Sequence, residues 1–316
     1  MNAECGFFVD NIAAKPVAKF GHDHREERTA LAESKHIYAQ MTWPEIARVA
    51  GEDRVAVIPV ATLEDHGPHL PIDTDVKLIE AICGAACARV PDKVVLLPVV
   101  THGYSPHHAD FPGSINIRWN VFVEYLLDIT RSLVGHGFRR FIIANGHGSN
   151  MPLVNMAARL TIVEHPGAIA CDYFYLVTPQ GVEAIKSVRE SEFPGGMAHA
   201  CELETSMYLH LDPSLVQMEL AEKDISFPAS DYFYFDWFDG PGSMMEYWST
   251  LSRTGTMGDP TVATAKKGEV LLEAAVSELL MVIDAMKTRE IRRRVDHHGA
   301  PAGQPARSAS GDAPGA

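Results

Sequence analysis

Glu64-Asp65-His66-Gly-Pro-His69, with Thr74-Asp75 shortly after it, gathers carboxylates and imidazoles into one short loop. These are potential metal ligands, and a mixture of oxygen and nitrogen donors suits Zn, Mn or Fe better than Ca or Mg. The loop directly follows Val55-Ala-Val-Ile-Pro-Val60, an apolar run that reads as a buried strand. Three later stretches carry similar chemistry: His102-Gly-Tyr-Ser105-Pro-His107-His108-Ala-Asp110, Asn145-Gly-His147-Gly-Ser149-Asn150, and His199-Ala-Cys-Glu202-Leu-Glu204. A Gly-His-Gly turn lets the backbone pass close to an ion while the imidazole points at it. His199 and Glu204 are five apart, so the start of a helix and its second turn can bring both to one site.

Each stretch also has an ordinary structural reading. A Gly-His-Gly turn can be only a turn, and Glu-x-His can be a solvated loop. Cys83 and Cys87 fall on an apolar helix, where small buried thiols are common. His107 and His108 read as pocket lining or as partners of the backbone, and His297-His298 as a solvated pair. What favours chemistry is that four separate stretches all fall on loops at strand ends.

Strands are expected over 55–60, 94–100, 141–144 and 168–174, and helices over 76–90, 120–134 and 151–164, from their apolar spacing and their Gly and Pro stops. Alternating β and α segments predict an α/β fold: a single three-layer α/β/α domain with a mostly parallel central sheet. In such folds the chemistry collects at the carboxyl ends of the strands, where the four stretches lie. The domain is expected over residues 37–288, between an N-terminal extension (1–36) and a Pro/Ala/Gly/Ser-rich tail (289–316) too polar to order itself.

The whole chain fits a soluble enzyme. A net charge of −14 and the lack of a basic patch argue against nucleic acid. No apolar run is long enough to span a bilayer, which argues against a membrane partner. The first residues lack the order of a signal peptide, and the five cysteines form no disulfide framework. A reducing cytoplasm is therefore expected.

Glu64-Asp-His66-Gly-Pro-His69-Leu-Pro with Thr74-Asp75, Phe111-Pro-Gly-Ser114, Asn145-Gly-His147-Gly-Ser-Asn150, His199-Ala-Cys-Glu-Leu-Glu204-Thr-Ser206, and Gly258-Asp-Pro-Thr-Val-Ala263 with Lys267-Gly268 appear in this order. Together they resemble the creatininase (creatinine amidohydrolase) family over roughly residues 38–285. The resemblance implies a binuclear metallohydrolase of amide bonds with two divalent ions, Zn first and Mn or Fe as alternatives. It implies that Glu64 binds one ion, His66 the other, that Asp75 bridges them, and that His147 completes the first shell. It also implies a homo-oligomer, often a hexamer, and a small cyclic amide or formamide as substrate. A peptidase of the mycofactocin-precursor type and a non-catalytic metal-binding member are the alternatives.

Two departures from creatininase stand out. Creatininase has a glutamate two residues after the histidine matching His147; here that residue is Ser149, a poor ligand. Glu204 is the expected replacement, with Glu202 as fallback. The Trp-Asp pair ahead of the histidine matching His199 is also missing, the chain reading Phe193-Pro-Gly-Gly-Met-Ala-His199. The aromatic run 231–238 and Tyr247-Trp248 could supply another lid, although core or interface packing is the simpler account. Two cations would lower the pKa of a shared water from about 15.7 towards 7. His199 is the expected proton shuttle to the leaving nitrogen, with Glu204 a ligand, an orienting group or a base. Asp65 and His69 are expected to support the ligands, and Ser105, His107 and Ser149 to shape the substrate pocket.

Overall fold

In the computed structural model, which describes residues 35–238 and 240–298, the elements follow in this order. They are α1 Trp43–Gly51, β1 Val55–Val60, α2 Thr74–Arg89, β2 Val94–Leu96, α3 Trp119–Gly135, β3 Arg140–Asn145, α4 Met151–Glu164, β4 Ile169–Phe174, α5 Pro179–Val188, β5 Met197–His199, α6 Glu202–Leu211, α7 Trp248–Leu251, β6 Met257–Gly258 and α8 Ala265–Thr288. Residues 1–34 of the expected extension and 299–316 of the expected tail lie outside the described residues; 289–298 follow the end of α8.

Four strands pair in the order β2-β1-β3-β4, every neighbour parallel. Parallel neighbours need crossovers, and helices supply them on both faces. Side chains alternate accordingly. Val55 and Val57 of β1 and Ile142 and Ala144 of β3 pack with α2, α5, α6 and α8. Ala56, Ile58 and Val60, with Phe141 and Ile143, pack with α1, α3 and α4 on the other side. Both faces of β1 are therefore dry, which is why its sequence is an unbroken apolar run. The three-layer α/β/α architecture is the expected one.

Two details differ from the sequence reading. Strand β2 stops at Leu96 rather than running to 100, because Pro98 has no N–H to continue the ladder. Val100 returns to β1, its N–H donating to the Pro59 carbonyl at 2.9 Å. Helices α1, α5, α7 and α8 are additional to those expected. The antiparallel pair β5 and β6 forms a separate small ribbon beside the sheet order. Among the described residues, no helix is long and apolar enough to cross a membrane.

Candidate metal centre

Five carboxyl or imidazole side chains reach one region from different elements. β1 runs into the loop bearing Glu64 and His66, which is tied down by Glu64 N–H to Ile72 O (3.1 Å) and Ile115 N–H to Leu63 O (2.9 Å). Asp75 sits in the first turn of α2 and Glu204 in the first turn of α6, where the positive end of the helix dipole favours a carboxylate. His147 follows β3, its turn clipped by Asn145, whose side chain donates to His147 O and accepts from His147 N–H (2.6 and 3.1 Å). Glycine is required at 146: a Cβ there would lie 2.9 Å from both Asp75 O and Ile79 Cβ, holding β3 away from α2.

Asp75 is central to the geometry. Its Oδ1 is 3.2 Å from His66 Nε2, and its Oδ2 is 3.2 Å from His147 Nδ1. His147 Nδ1 is also 3.1 Å from Glu64 Oε1, and His66 Nε2 is 3.8 Å from Glu204 Oε1. Among the triads whose ligand atoms lie within 4.8 Å of one another, Glu64–Asp75–His147 and His66–Asp75–Glu204 share Asp75. All five residues are buried.

Hydrogen bonds fix the tautomers. His147 Nε2 lies 3.1 Å from the Tyr104 carbonyl, so that nitrogen carries the hydrogen and Nδ1 turns its lone pair to the carboxylates. His66 Nδ1 likewise faces the Glu64 carbonyl at 3.4 Å, leaving Nε2 as the lone-pair atom. Backbone carbonyls commonly orient metal-binding imidazoles in this way. His66 Nε2 and Asp75 Oδ2 have no hydrogen-bond partner although both are buried; the close His66–Asp75 contact is not aligned as a hydrogen bond.

Lone pairs and carboxylates converging in a dry site demand positive charge. In the bare protein protons meet the demand. Burial opposes charge on His147, but Glu64 and Asp75 outweigh it and hold its pKa up at about 10. Burial likewise opposes a charged His66, yet Asp75 and Glu204 push it well above the usual range. Burial would raise Asp75, but the facing imidazoles of His66 and His147 hold its carboxyl low. Burial raises Glu64. Divalent cations would replace those protons, since ligation requires neutral imidazoles and ionised carboxylates. The donor set, the two orphaned atoms and the shared carboxylate fit a pair of borderline metal ions.

The remaining expected residues fall around this cluster. His199 ends strand β5 rather than opening a helix; Ala200, at φ 49°, turns the chain between β5 and α6. The His199 Nε2 donates to Asp65 O at 2.8 Å, and its Nδ1 lies 3.8 Å from Glu64 Oε1. Burial lowers its pKa, with help from His66. Ser105 is not a lining residue of the cavity; it stands behind Glu64 and donates to Oε2 at 2.5 Å. His107 and Ser149 do line the cavity, joined by a 3.0 Å contact between His107 Nε2 and Ser149 Oγ. Glu202 is not in the cluster: its carboxylate accepts from Glu190 N–H, Ser191 N–H and Lys267 Nζ. His69 braces α6 through Nε2 to Thr205 Oγ1 at 2.9 Å.

Two residues at the centre matter more than their sequence context suggested. His108, whose Nδ1 is 2.5 Å from Asp65 Oδ2, brings Nε2 to 3.7 Å from Glu64 Oε1. Trp248 packs its ring on His107, His108 and His199 at centroid distances of 5.1, 4.8 and 5.5 Å. Neither had a local signal for these contacts, since their partners are distant in sequence. A cavity of about 480 Å³ opens over the cluster, with Glu64, Asp75, His147, His199 and Glu204 in its lining.

A parallel α/β sheet thus carries, at its strand ends, a cluster of carboxylates and imidazoles that could hold metal ions. The sequence pattern described as Creatininase: Creatinine amidohydrolase matches residues 39–283, and this chain belongs to the creatininase family. The mycofactocin precursor peptide peptidase of Mycobacterium tuberculosis is 30% identical over 230 residues, 70% of this chain and 81% of its own length. The creatinine amidohydrolase of Pseudomonas putida is 29% identical over 259 residues, 77% of this chain and 94% of its own. A crystal structure of creatinine amidohydrolase superposes with a TM-score of 0.68 at 27% identity, over 81% of this chain and 99% of the other. Creatininases of this fold include a zinc–zinc form and a manganese form.

Proposed function

We propose that this hydrolase is a binuclear metal-dependent amidohydrolase that cleaves a C–N amide bond. The observation that carries the reading is the position of Asp75, one oxygen turned to each triad. Glu64, His147 and Asp75 would hold one divalent ion; His66, Glu204 and Asp75 would hold the other. Glu204 is thus taken as a ligand, which answers for the carboxylate absent at Ser149. Zn is the first choice and Mn or Fe the alternatives, from the mixed carboxylate and imidazole donors. Bound there, two such ions supply Lewis acidity for the amide carbonyl and a water acidic enough to attack near neutral pH.

The chain's own residues do the rest. Ser105 and the Tyr104 carbonyl hold Glu64 and His147 in their ligating orientations. Trp248 packs on His107, His108 and His199 and forms one side of the cavity over the cluster. Cleavage needs a proton on the departing nitrogen. His199 is positioned to take a proton at Nδ1 from the attacking water and pass it on to the departing nitrogen, since Nε2–H is fixed to the Asp65 carbonyl. His108 is aligned by Asp65 through Nδ1, which leaves its Nε2 3.7 Å from Glu64 Oε1. By resemblance the enzyme is also a homo-oligomer, and exposed aromatics on α3, Trp119 and Tyr125, offer surface for subunit contact.

The test is a hydrolysis screen over cyclic amides, formamides and short peptides with Zn-loaded, Mn-loaded and chelator-stripped enzyme. We expect turnover that disappears on stripping and returns with metal. In His147→Ala, metal affinity should fall by more than the roughly 100-fold typical of losing an outer partner. A protein that neither retains nor rebinds transition metal would instead be a scaffold that keeps the fold.

A further inference from the structure

The amide-hydrolase reading leaves the substrate's other half open, and the cavity walls address it, on the basis of that reading. Above the cluster the side of the cavity is aromatic: Phe174, Phe235, Trp237, Phe238 and Trp248 all line it. Phe174 and Trp237 stack at 5.3 Å, and Phe235 meets Trp248 at 5.6 Å, so the rings line the cavity as two contacting pairs with Phe238 beside them in the lining. At the mouth, Met151, Val177, Met244 and Met245 are lining residues with more than 40% of their surface exposed. Exposed apolar side chains collected around a cavity mark a surface that is covered when a ligand binds.

No Lys or Arg is among the described residues that line the cavity. The nearby Arg189 cannot serve an anion, because its guanidinium makes a two-pronged pair with Asp236 at 2.8 and 2.7 Å. The same pairing, with Gly195 N–H donating to Asp236 at 2.8 Å, satisfies the one carboxylate in the wall. The polar groups left to a ligand are the metal cluster, the imidazoles and a few hydroxyls. An anionic substituent set against these walls, away from the metal cluster, would lose its hydration with no Lys or Arg in return. A cavity of about 480 Å³ also exceeds what a single small polar ring fills, and lies in the range that takes a drug-sized ligand.

We infer that the substrate is an uncharged amide carrying an aromatic group, its amide on the metal cluster and its ring on the Phe/Trp wall, with methionine sulfurs closing over the ring edge. Rings favour offset or edge contacts with other rings, and thioethers favour ring edges. A phosphorylated amide and a compact polar lactam fit these walls poorly.

A matched series of formamide, formanilide and 4-formamidophenyl phosphate, given to the metal-loaded enzyme, keeps the reacting group constant and varies its arm. The expected result is a kcat/KM for formanilide at least about tenfold above each of the others. Equal or better turnover of the phosphate or of bare formamide would overturn the inference. Met244→Arg, which adds a cation at the exposed mouth, should shift selectivity towards the phosphate by about tenfold. Where none of the three turns over, calorimetric binding decides: benzamide binding more tightly than phenyl phosphate upholds the aromatic, uncharged class, and the reverse order overturns it. Failure of the wider amide screen tells against amide hydrolysis itself, whatever the order of binding.

Discussion

Asp75 is a buried carboxylate facing two imidazoles and two further carboxylates, and it joins the triads Glu64–Asp75–His147 and His66–Asp75–Glu204. Glu64, His66, Asp75 and His147 were legible because their motifs are short and lie where buried strands end. The roles of His108 and Trp248 were not, since the features that make them matter, Asp65 at 43 residues' remove and a ring stack on three histidines, exist only after folding. Conversion of Glu204 to Gln weakens one triad and leaves the other intact. The variant should therefore bind roughly one ion where the wild type binds roughly two, measured by metal titration. His69 gives a test by pH. Burial lowers its pKa from 6.5 to about 4, so between these values the unfolded chain takes a proton that the native state refuses. Stability from this residue is present above pH 6.5 and is lost as pH falls, at up to about 1.4 kcal/mol per unit. In metal-free protein, His69→Gln should flatten the urea-derived stability curve between pH 4 and 6.5; an unchanged slope would show that His69 titrates normally.

Secondary elements set the distances between ligands. Asp75 and Glu204 ride on the first turns of α2 and α6, while His147 and Glu64 hang from β3 and β1, so the site tolerates little relative movement. Helix α8 holds α6 closely, and a Cβ on Gly268 would come within 1.9 Å of the Ser206 carbonyl. Gly268→Ala should cost about 3 kcal/mol or more by forcing α8 off α6. It should also weaken the triad containing Glu204 more than the one containing His147, which denaturant titration and stepwise metal binding can separate. The strands and helices around the first three motifs were readable from their apolar spacing. The placement of His199 was not: spacing alone suggested a helix start, whereas a two-strand ribbon and a left-handed Ala200 carry it in. Pairing with β6, far along the chain, leaves no periodic trace in three residues.

Across the molecule, two apolar cores sandwich a four-stranded parallel sheet, and the layer order follows from strands dry on both faces. The aromatic run 231–238 shows where sequence reading ends. Its composition suited a lid, a core or an interface alike, and the fold turns Phe235, Trp237 and Phe238 into a cavity wall. The cluster thus draws its side chains from strand-end loops and first helix turns, and the wall much of its area from the irregular segment before α7. The central claim, one carboxylate shared by two metal ions, is open to a direct measurement: metal content and stepwise affinity of the wild type beside Asp75→Asn, by mass spectrometry and calorimetry. The wild type should hold about two ions per chain, and the variant should lose both steps together. Retention of one full-affinity ion by Asp75→Asn, or a wild type that binds only one, would contradict a shared bridge.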